Sequence, residues 1–329
     1  MRISVALFNY ENGGRAADGT YNFTKLQAAF ADVNEPPSLI LFCEAKNYRD
    51  QAGEAKYAAA EALSDELGVP YSVELGSMHR GPLPPAIFYN PDVLVLRRWW
   101  NQDDPGAYED QRNVARFAVR ESGRIAEERT EFLAFVNHWE PLSGDVRLEE
   151  ARRLSRYGDR QPLPVIGGGD LNATASGDHL PQRDWMAAGF SHRSHKGILG
   201  PDGKWGPDTR AMDYLLGTWN TETQTRQDGC GLYAIAEMAW QRNPNRPILP
   251  TVNAGVDAGG GLLIDWLLVN DVMAPYVIAD SYKVHVPDPG GVVPSDHRLV
   301  TADIDLPSPL LTATGAGPES MRHFQGPNP

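Results

Sequence analysis

Four short apolar runs, each leading to a polar or ionisable residue, constrain this chain more than any other feature. ISVALF (3–8) runs into Asn9, SLILFC (38–43) into Glu44, EFLAFVN (131–137) into His138, and PVIG (164–167) leads through glycines to Asp170. Runs of this length, rich in Val, Ile, Leu and Phe and bounded by turn residues, read as buried strands. Helical patterns lie between them at about 24–33, 50–67, 147–157 and 181–188, the second alanine-rich and ending at Gly68 as at a C-terminal cap. Strands that are apolar throughout need cover on both faces. The pattern therefore predicts an α/β (α+β) fold of two packed sheets with helices outside.

Composition narrows the class. Among 329 residues, 41% are hydrophobic and 22% charged, which excludes a disordered chain. The 32 Gly and 26 Pro favour turns over long helices. Two cysteines, Cys43 and Cys230, make neither a disulfide framework nor a CxxC metal site, so a reducing compartment is expected. MRISVALFNYENGG lacks the apolar core of a signal peptide, and no run approaches the ~20 apolar residues of a membrane span. A cytoplasmic protein without a membrane span is expected, and no protein partner is implied. The net charge of −13 argues against a broad basic surface for storing nucleic acid. It leaves room for an enzyme that grips one phosphate through a metal.

Strand patterns thin out over 197–260, where short helices are expected near 209–216 and 231–241, and resume at 262. The reading is one domain over 1–306 carrying an insertion at about 197–260. The Pro/Gly-rich, aperiodic 307–329 is expected to be a flexible tail.

Three motifs carry chemistry. GGGDLNAT (167–174) has the form of a strand followed by a glycine-softened turn that presents Asp170 and Asn172 to one ligand. A carboxylate beside an amide can activate water and hold a phosphoryl oxygen, or can simply form an Asx turn. No GK[ST] follows, so this is not a phosphate-binding loop. PSDHR (294–298) sets Asp296 beside His297, a pairing that suits a metal ligand next to a general base and equally a solvated turn. GLLIDWLLVN carries Asp265 inside an apolar strand pattern, where a bare carboxylate is costly. It needs a partner, and His297 is the natural one, because an Asp can orient an imidazole and steady its charged form. Asp213, in TRAMDYLL, imitates that motif, but its surroundings read as a helix.

Other features have blander readings. His179, His192 and His195 suit a polar loop better than a zinc site. Trp99-Trp100 reads as a core edge before a base-stacking platform. Arg97-Arg98, His79-Arg80 and Arg193 with His195-Lys196 form local basic patches, either guides for a phosphate backbone or solvated faces.

Taken in order, Asn9, Glu44, His138, Gly169-Asp170-Leu171-Asn172, Asp265 and Ser295-Asp296-His297 resemble the endonuclease/exonuclease/phosphatase family over residues 1–306. The resemblance implies the deoxyribonuclease I-like fold, a four-layered α/β sandwich of two mixed sheets with the site at one end. It implies Glu44 as principal Mg²⁺ ligand (Mn²⁺ substituting), with Asn9, Asp296 and a further acidic residue, Glu11. Asp170 would orient or deprotonate the attacking water, Asn172 would bind a phosphate oxygen, and His297, held by Asp265, would be general base or transition-state stabiliser. His138 would stand near the leaving group, and Arg147 would be a substrate-binding cation. Where members pair that His with an acid in an Arg-Glu-Pro-like segment, the nearest match here is Arg112-Asn113-Val114. The expected activity is Mg²⁺-dependent hydrolysis of a phosphodiester, with DNA as the substrate and partner. A phosphatase or diesterase acting on a small phosphorylated metabolite or headgroup is the alternative, and a catalytically silent binding module stands behind both.

Overall fold

A computed structural model describes residues 1–78, 81–101, 112–120, 130–253 and 258–306. His79-Arg80 and the expected tail, 307–329, lie outside the described residues. In chain order, β1 (Arg2–Asn9), β2 (Leu39–Cys43), β3 (Ser72–Leu75) and β4 (Ala86–Tyr89) begin the first sheet. β5 (Leu94–Trp100), β6 (Val114–Val119), β7 (Glu131–His138) and β8 (Val165–Asp170) begin the second. Two small hairpins follow, β9 (Gly197–Leu199) with β10 (Trp205–Pro207), and β11 (Thr218–Asn220) with β12 (Thr225–Gln227). β13 (Leu232–Ala234) and β14 (Asp265–Asn270) complete the second sheet, while β15 (Val277–Val284) and β16 (Val300–Asp305) return to the first.

The six-stranded sheets run β15-β16-β1-β2-β4-β3 and β13-β14-β8-β7-β6-β5. Each has a parallel pair at its centre, β1 with β2 and β7 with β8, among antiparallel neighbours. The period of two along a strand splits the side chains between layers. Ile3, Val5 and Leu7 of β1, with Leu39 and Leu41 of β2, join one apolar cluster with Phe117 and Phe135 of the second sheet. Ala6 and Phe8, with Ile40 and Phe42, join another with Leu26 and Phe30 of α1 (Thr24–Phe30) and Ala59 and Leu63 of α2 (Glu54–Leu67). Both faces of the central strands are thus covered, which makes the four-layered α/β sandwich.

On the far side of the second sheet lie α3 (Gly144–Leu154), α5 (Arg210–Leu216) and α6 (Ile235–Arg242), whose Ala151, Leu154, Met212, Leu215 and Ile235 belong to the same cluster as β7 and β8. α4 (Phe190–Lys196) precedes β9. Ser143 caps α3 by accepting from the Val146 N–H, so this helix starts before the expected 147.

Two local expectations are corrected. Residues 181–188 form no helix: Asp184 accepts from the Met186 and Ala187 N–H groups in a turn, and Trp185 packs on Val252, Leu262 and Ile264. The expected helix at 231–241 begins as β13, because Leu232–Ala234 pairs with the edge of β14, and only Ile235–Arg242 is helical. Among the described residues, no helix is long and apolar enough to cross a membrane.

Candidate active site

The central parallel pairs send the C-terminal ends of β1, β2, β7 and β8 to one end of the sandwich, delivering Asn9, Glu44, His138 and Asp170 there. β14 runs antiparallel to β8 and starts at this end, so Asp265 lies in register opposite Asp170. The loop before β16 brings Ser295, Asp296 and His297 to the same place. Cys43 joins the sheets here: its Sγ accepts from the Asp170 N–H at 3.4 Å. Burial pushes that thiol well up, so it is a neutral part of the floor.

Asp170 is the hub. Its Oδ2 accepts from Asn9 Nδ2 at 3.0 Å and its Oδ1 from the Asn172 backbone N–H at 2.9 Å. His297 Nε2 and His138 Nε2 lie 3.7 and 3.6 Å from the same Oδ2. Those gaps are too long for direct hydrogen bonds and suit groups that share one oxygen of water or substrate. His297 Nδ1 meets Asp265 Oδ2 at 2.8 Å, deep in the protein. Thr251 Oγ1 accepts from the Ile264 and Asp265 N–H groups and fixes the start of β14.

Burial pushes the Asp265 carboxyl up, against the pull of His297. Burial also opposes charge on His297, but the Asp265 and Asp170 carboxylates outweigh it and raise the imidazole to about 10. Asp170, in turn, sits below its ordinary value: burial would raise it, and His297, His138, Lys196 and the Asn172 N–H together prevail. The metal-free site therefore holds an imidazolium facing an ionised Asp170.

A testable stability effect follows. Because the folded His297 value lies above the unfolded ~6.5, the stability it contributes is complete below pH 6.5 and lost as pH rises from there through about 10. In metal-free protein, the melting-temperature gap between wild type and His297→Asn is expected to shrink over that window. A gap that stays constant contradicts the charged pair.

Around Glu44 the geometry is equally specific. Glu44 has φ 67°, the left-handed region that costs a non-glycine residue energy, as at many functional sites. Its Oε2 accepts from the Asn12 N–H at 2.8 Å and its Oε1 from Asn9 Nδ2 at 3.4 Å. Lys46 Nζ binds Asn12 Oδ1. Ser295 Oγ, missed in the sequence as a fastener, donates to the Asn9 carbonyl at 2.7 Å, accepts from the Glu11 N–H, and lies 3.1 Å from Asp296 Oδ1. Glu11 is itself exposed. Asn9 is fully buried, yet its Oδ1 has no hydrogen-bond partner among the described residues. A carboxylate, a carboxamide oxygen lacking a donor and a second carboxylate linked through Ser295 make a hard-oxygen set that suits Mg²⁺ or Mn²⁺. Asp170, Asp265 and His297 also lie close enough together for a cation, their candidate ligand atoms within 4.8 Å of one another. The imidazole nitrogen between the two carboxylates makes an acid–base line the simpler chemistry there.

Other expected positions resolve differently. The glycines before Asp170 lie inside β8 and not in a turn after it. Asn172, at φ 51°, donates from Nδ2 to the Trp139 carbonyl at 3.0 Å and accepts at Oδ1 from Lys196. Arg147 is not brought into the group. It is 1% exposed and donates to the Glu140 and His195 carbonyls at 3.0 and 2.7 Å. Asn113 does not pair with His138; its Oδ1 accepts from the Ser77 N–H. Asp213 sits in α5 and is bound by Ser176 and Arg226. His179 stacks between Trp219 and Trp240 and meets Glu237 at 2.8 Å, a buried polar brace. Trp99 donates to the Leu75 carbonyl, and Arg98 covers Trp100. Beside His138 opens a cavity of about 260 Å³ walled by Leu83, Pro85, Trp139, Pro141 and Leu154, with Arg112, Arg153 and Glu150 on its lining.

No sequence-family model matches the chain, and no curated protein sequence matches it. Solved structures do. A humanized D. rerio TDP2 carrying 14 mutations aligns over 92% of this chain and 99% of its own at TM-score 0.51 and 13% identity. An AP endonuclease from Archaeoglobus fulgidus aligns over the same shares at TM-score 0.51 and 12% identity. An endonuclease/exonuclease/phosphatase family protein from Bacteroides thetaiotaomicron aligns over 92% and 95% at TM-score 0.47 and 14% identity. With its two six-stranded mixed sheets flanked by helices, the chain has the deoxyribonuclease I-like fold of the endonuclease/exonuclease/phosphatase proteins.

Proposed function

We propose that this protein is a divalent-metal-dependent phosphoesterase that uses Mg²⁺ to hydrolyse a phosphodiester, with DNA as the substrate. The observation that carries the reading is the buried Asp265–His297 pair aimed at an ionised Asp170, beside the Glu44 and Asp296 carboxylates and an Asn9 carboxamide oxygen that has no hydrogen-bond partner among the described residues. The fold it shares with an AP endonuclease and a TDP2 supports the same chemistry.

Glu44, Asn9 and Asp296, with Glu11 at the rim, would hold the cation. When bound, a divalent cation neutralises charge on the phosphoryl group and on the leaving oxygen. Asp170 orients the attacking water and takes its proton, since its carboxylate is ionised and close to both imidazoles. His297 enters charged and donates from Nε2 to the oxygen on which charge accumulates, its Nδ1–H held by Asp265. His138, 15% exposed, faces the leaving group and can supply its proton. Asn172, fixed through Trp139, holds a phosphoryl oxygen.

One observation favours a second substrate class. The cavity beside His138 would seat a single compact group, as in a small phosphorylated metabolite or headgroup. A panel separates the two: supercoiled plasmid, single-stranded DNA, RNA, and sugar and nucleotide phosphates, each with Mg²⁺ and with His297→Ala as control. Metal-dependent nicking that disappears in the variant is expected. Phosphate release from a small ester with nucleic acids untouched overturns the DNA assignment and selects the second class.

A further inference from the structure

We infer that Lys196 is a phosphoryl-binding cation of this centre and that buried Arg147 is the residue that positions it; the inference rests on the phosphoesterase reading. Lys196 ends α4, 24 residues beyond Asn172, yet its Nζ donates to Asn172 Oδ1. That contact fixes the ammonium against the side chain whose backbone N–H binds Asp170. Asn172, braced by the Trp139 carbonyl, and Lys196 thus form one rigid donor pair where a phosphoryl oxygen would lie.

The backbone around Lys196 is tied down on both sides. The His195 carbonyl accepts from Arg147 Nη2 at 2.7 Å, and the Lys196 carbonyl accepts from the Asp208 N–H at 3.0 Å. Arg147 spends its other arm on the Glu140 carbonyl, two residues past His138. One planar guanidinium therefore ties the His138 segment to the Lys196 segment, a role that a lysine's single ammonium cannot reproduce. Without Arg147 the end of α4 keeps the Asp208 tie but loses the one to the His138 segment, and the ammonium is held less firmly.

Negative charge grows on the phosphoryl oxygens as water attacks, so a preplaced cation acts on turnover more than on substrate binding. The experiment measures kcat, KM and half-saturating Mg²⁺ with bis(4-nitrophenyl) phosphate for wild type, Lys196→Ala, Lys196→Met, Lys196→Arg and Arg147→Lys. It also measures inorganic phosphate binding by calorimetry for the same proteins. Lys196→Ala and Lys196→Met are expected to lose about 10²-fold in kcat, the size of one lost transition-state donor. Their KM should stay within about threefold and their Mg²⁺ requirement should not move, while phosphate binding weakens about tenfold. Lys196→Arg should recover most of the loss, and Arg147→Lys should lower kcat in the same direction with Lys196 intact. An active wild type whose Lys196→Ala variant keeps both kcat and phosphate affinity overturns the inference and leaves the phosphoesterase reading standing. A wild type that hydrolyses no phosphoester overturns both.

Discussion

Asp265→Asn is expected to lower turnover by about 10³- to 10⁴-fold while the protein still folds, in line with the effect of removing the carboxylate that orients a catalytic imidazole elsewhere. The substitution keeps the shape of a fully buried side chain, and the Asp265 N–H keeps its bond to Thr251. It removes the charge that holds His297 as an imidazolium and lets the new amide present either a donor or an acceptor to Nδ1. The expected signature is therefore a fall in kcat in a protein that keeps the circular dichroism of the wild type. Activity equal to wild type removes the pairing from the mechanism.

Gly169→Ala is the second large effect, and it acts on folding. Gly169 has φ 144°, and a Cβ there would lie 1.7 Å from the Asn137 carbonyl oxygen of β7. Gly168 has the same problem on the other side, where a Cβ would meet the Trp266 carbonyl oxygen of β14 at 1.8 Å. β8 is squeezed between two backbones, and a rigid carbonyl in a paired strand cannot step aside as a flexible side-chain end can. The expected cost is about 4 kcal/mol or more, in the range reserved for strain and overpacking. It should appear as insoluble protein or a sharply lowered denaturant midpoint. A soluble Gly169→Ala protein of unchanged stability contradicts this account of the glycine run.

These two residues also show how far the amino-acid order carries. Asp265 stood out because an apolar strand pattern has no place for an unpaired carboxylate, and His297 is the partner it finds. The run ends Asn9, Glu44, His138 and Asp170 were legible for the same reason, since polar residues closing buried strands mark one end of a sheet. The glycines were visible but misread as a turn, because their need arises from β7 and β14, far away in sequence. Arg147 was expected as a substrate-binding cation through the family resemblance; it is buried, donating to two carbonyls that no local pattern predicts. Lys196 stood in a basic patch that read equally as a guide for a phosphate backbone or a solvated face, and only the path of α4 brings it to Asn172. At 181–188 a short apolar period suggested a helix, but Trp185 is drawn into packing with Val252 and Ile264, and tertiary contacts override a weak propensity.

The central claim is that the polar end of the two sheets is a metal-dependent phosphoesterase centre with Glu44 at its heart. Its most direct test is 4-nitrophenolate release from bis(4-nitrophenyl) phosphate, with Mg²⁺ or with chelator, by wild type and Glu44→Gln. The account predicts turnover by wild type that needs the metal, is abolished by chelation, and falls in Glu44→Gln with a raised Mg²⁺ requirement. Hydrolysis indifferent to chelator, or a Glu44→Gln protein with the activity and Mg²⁺ requirement of wild type, would contradict it.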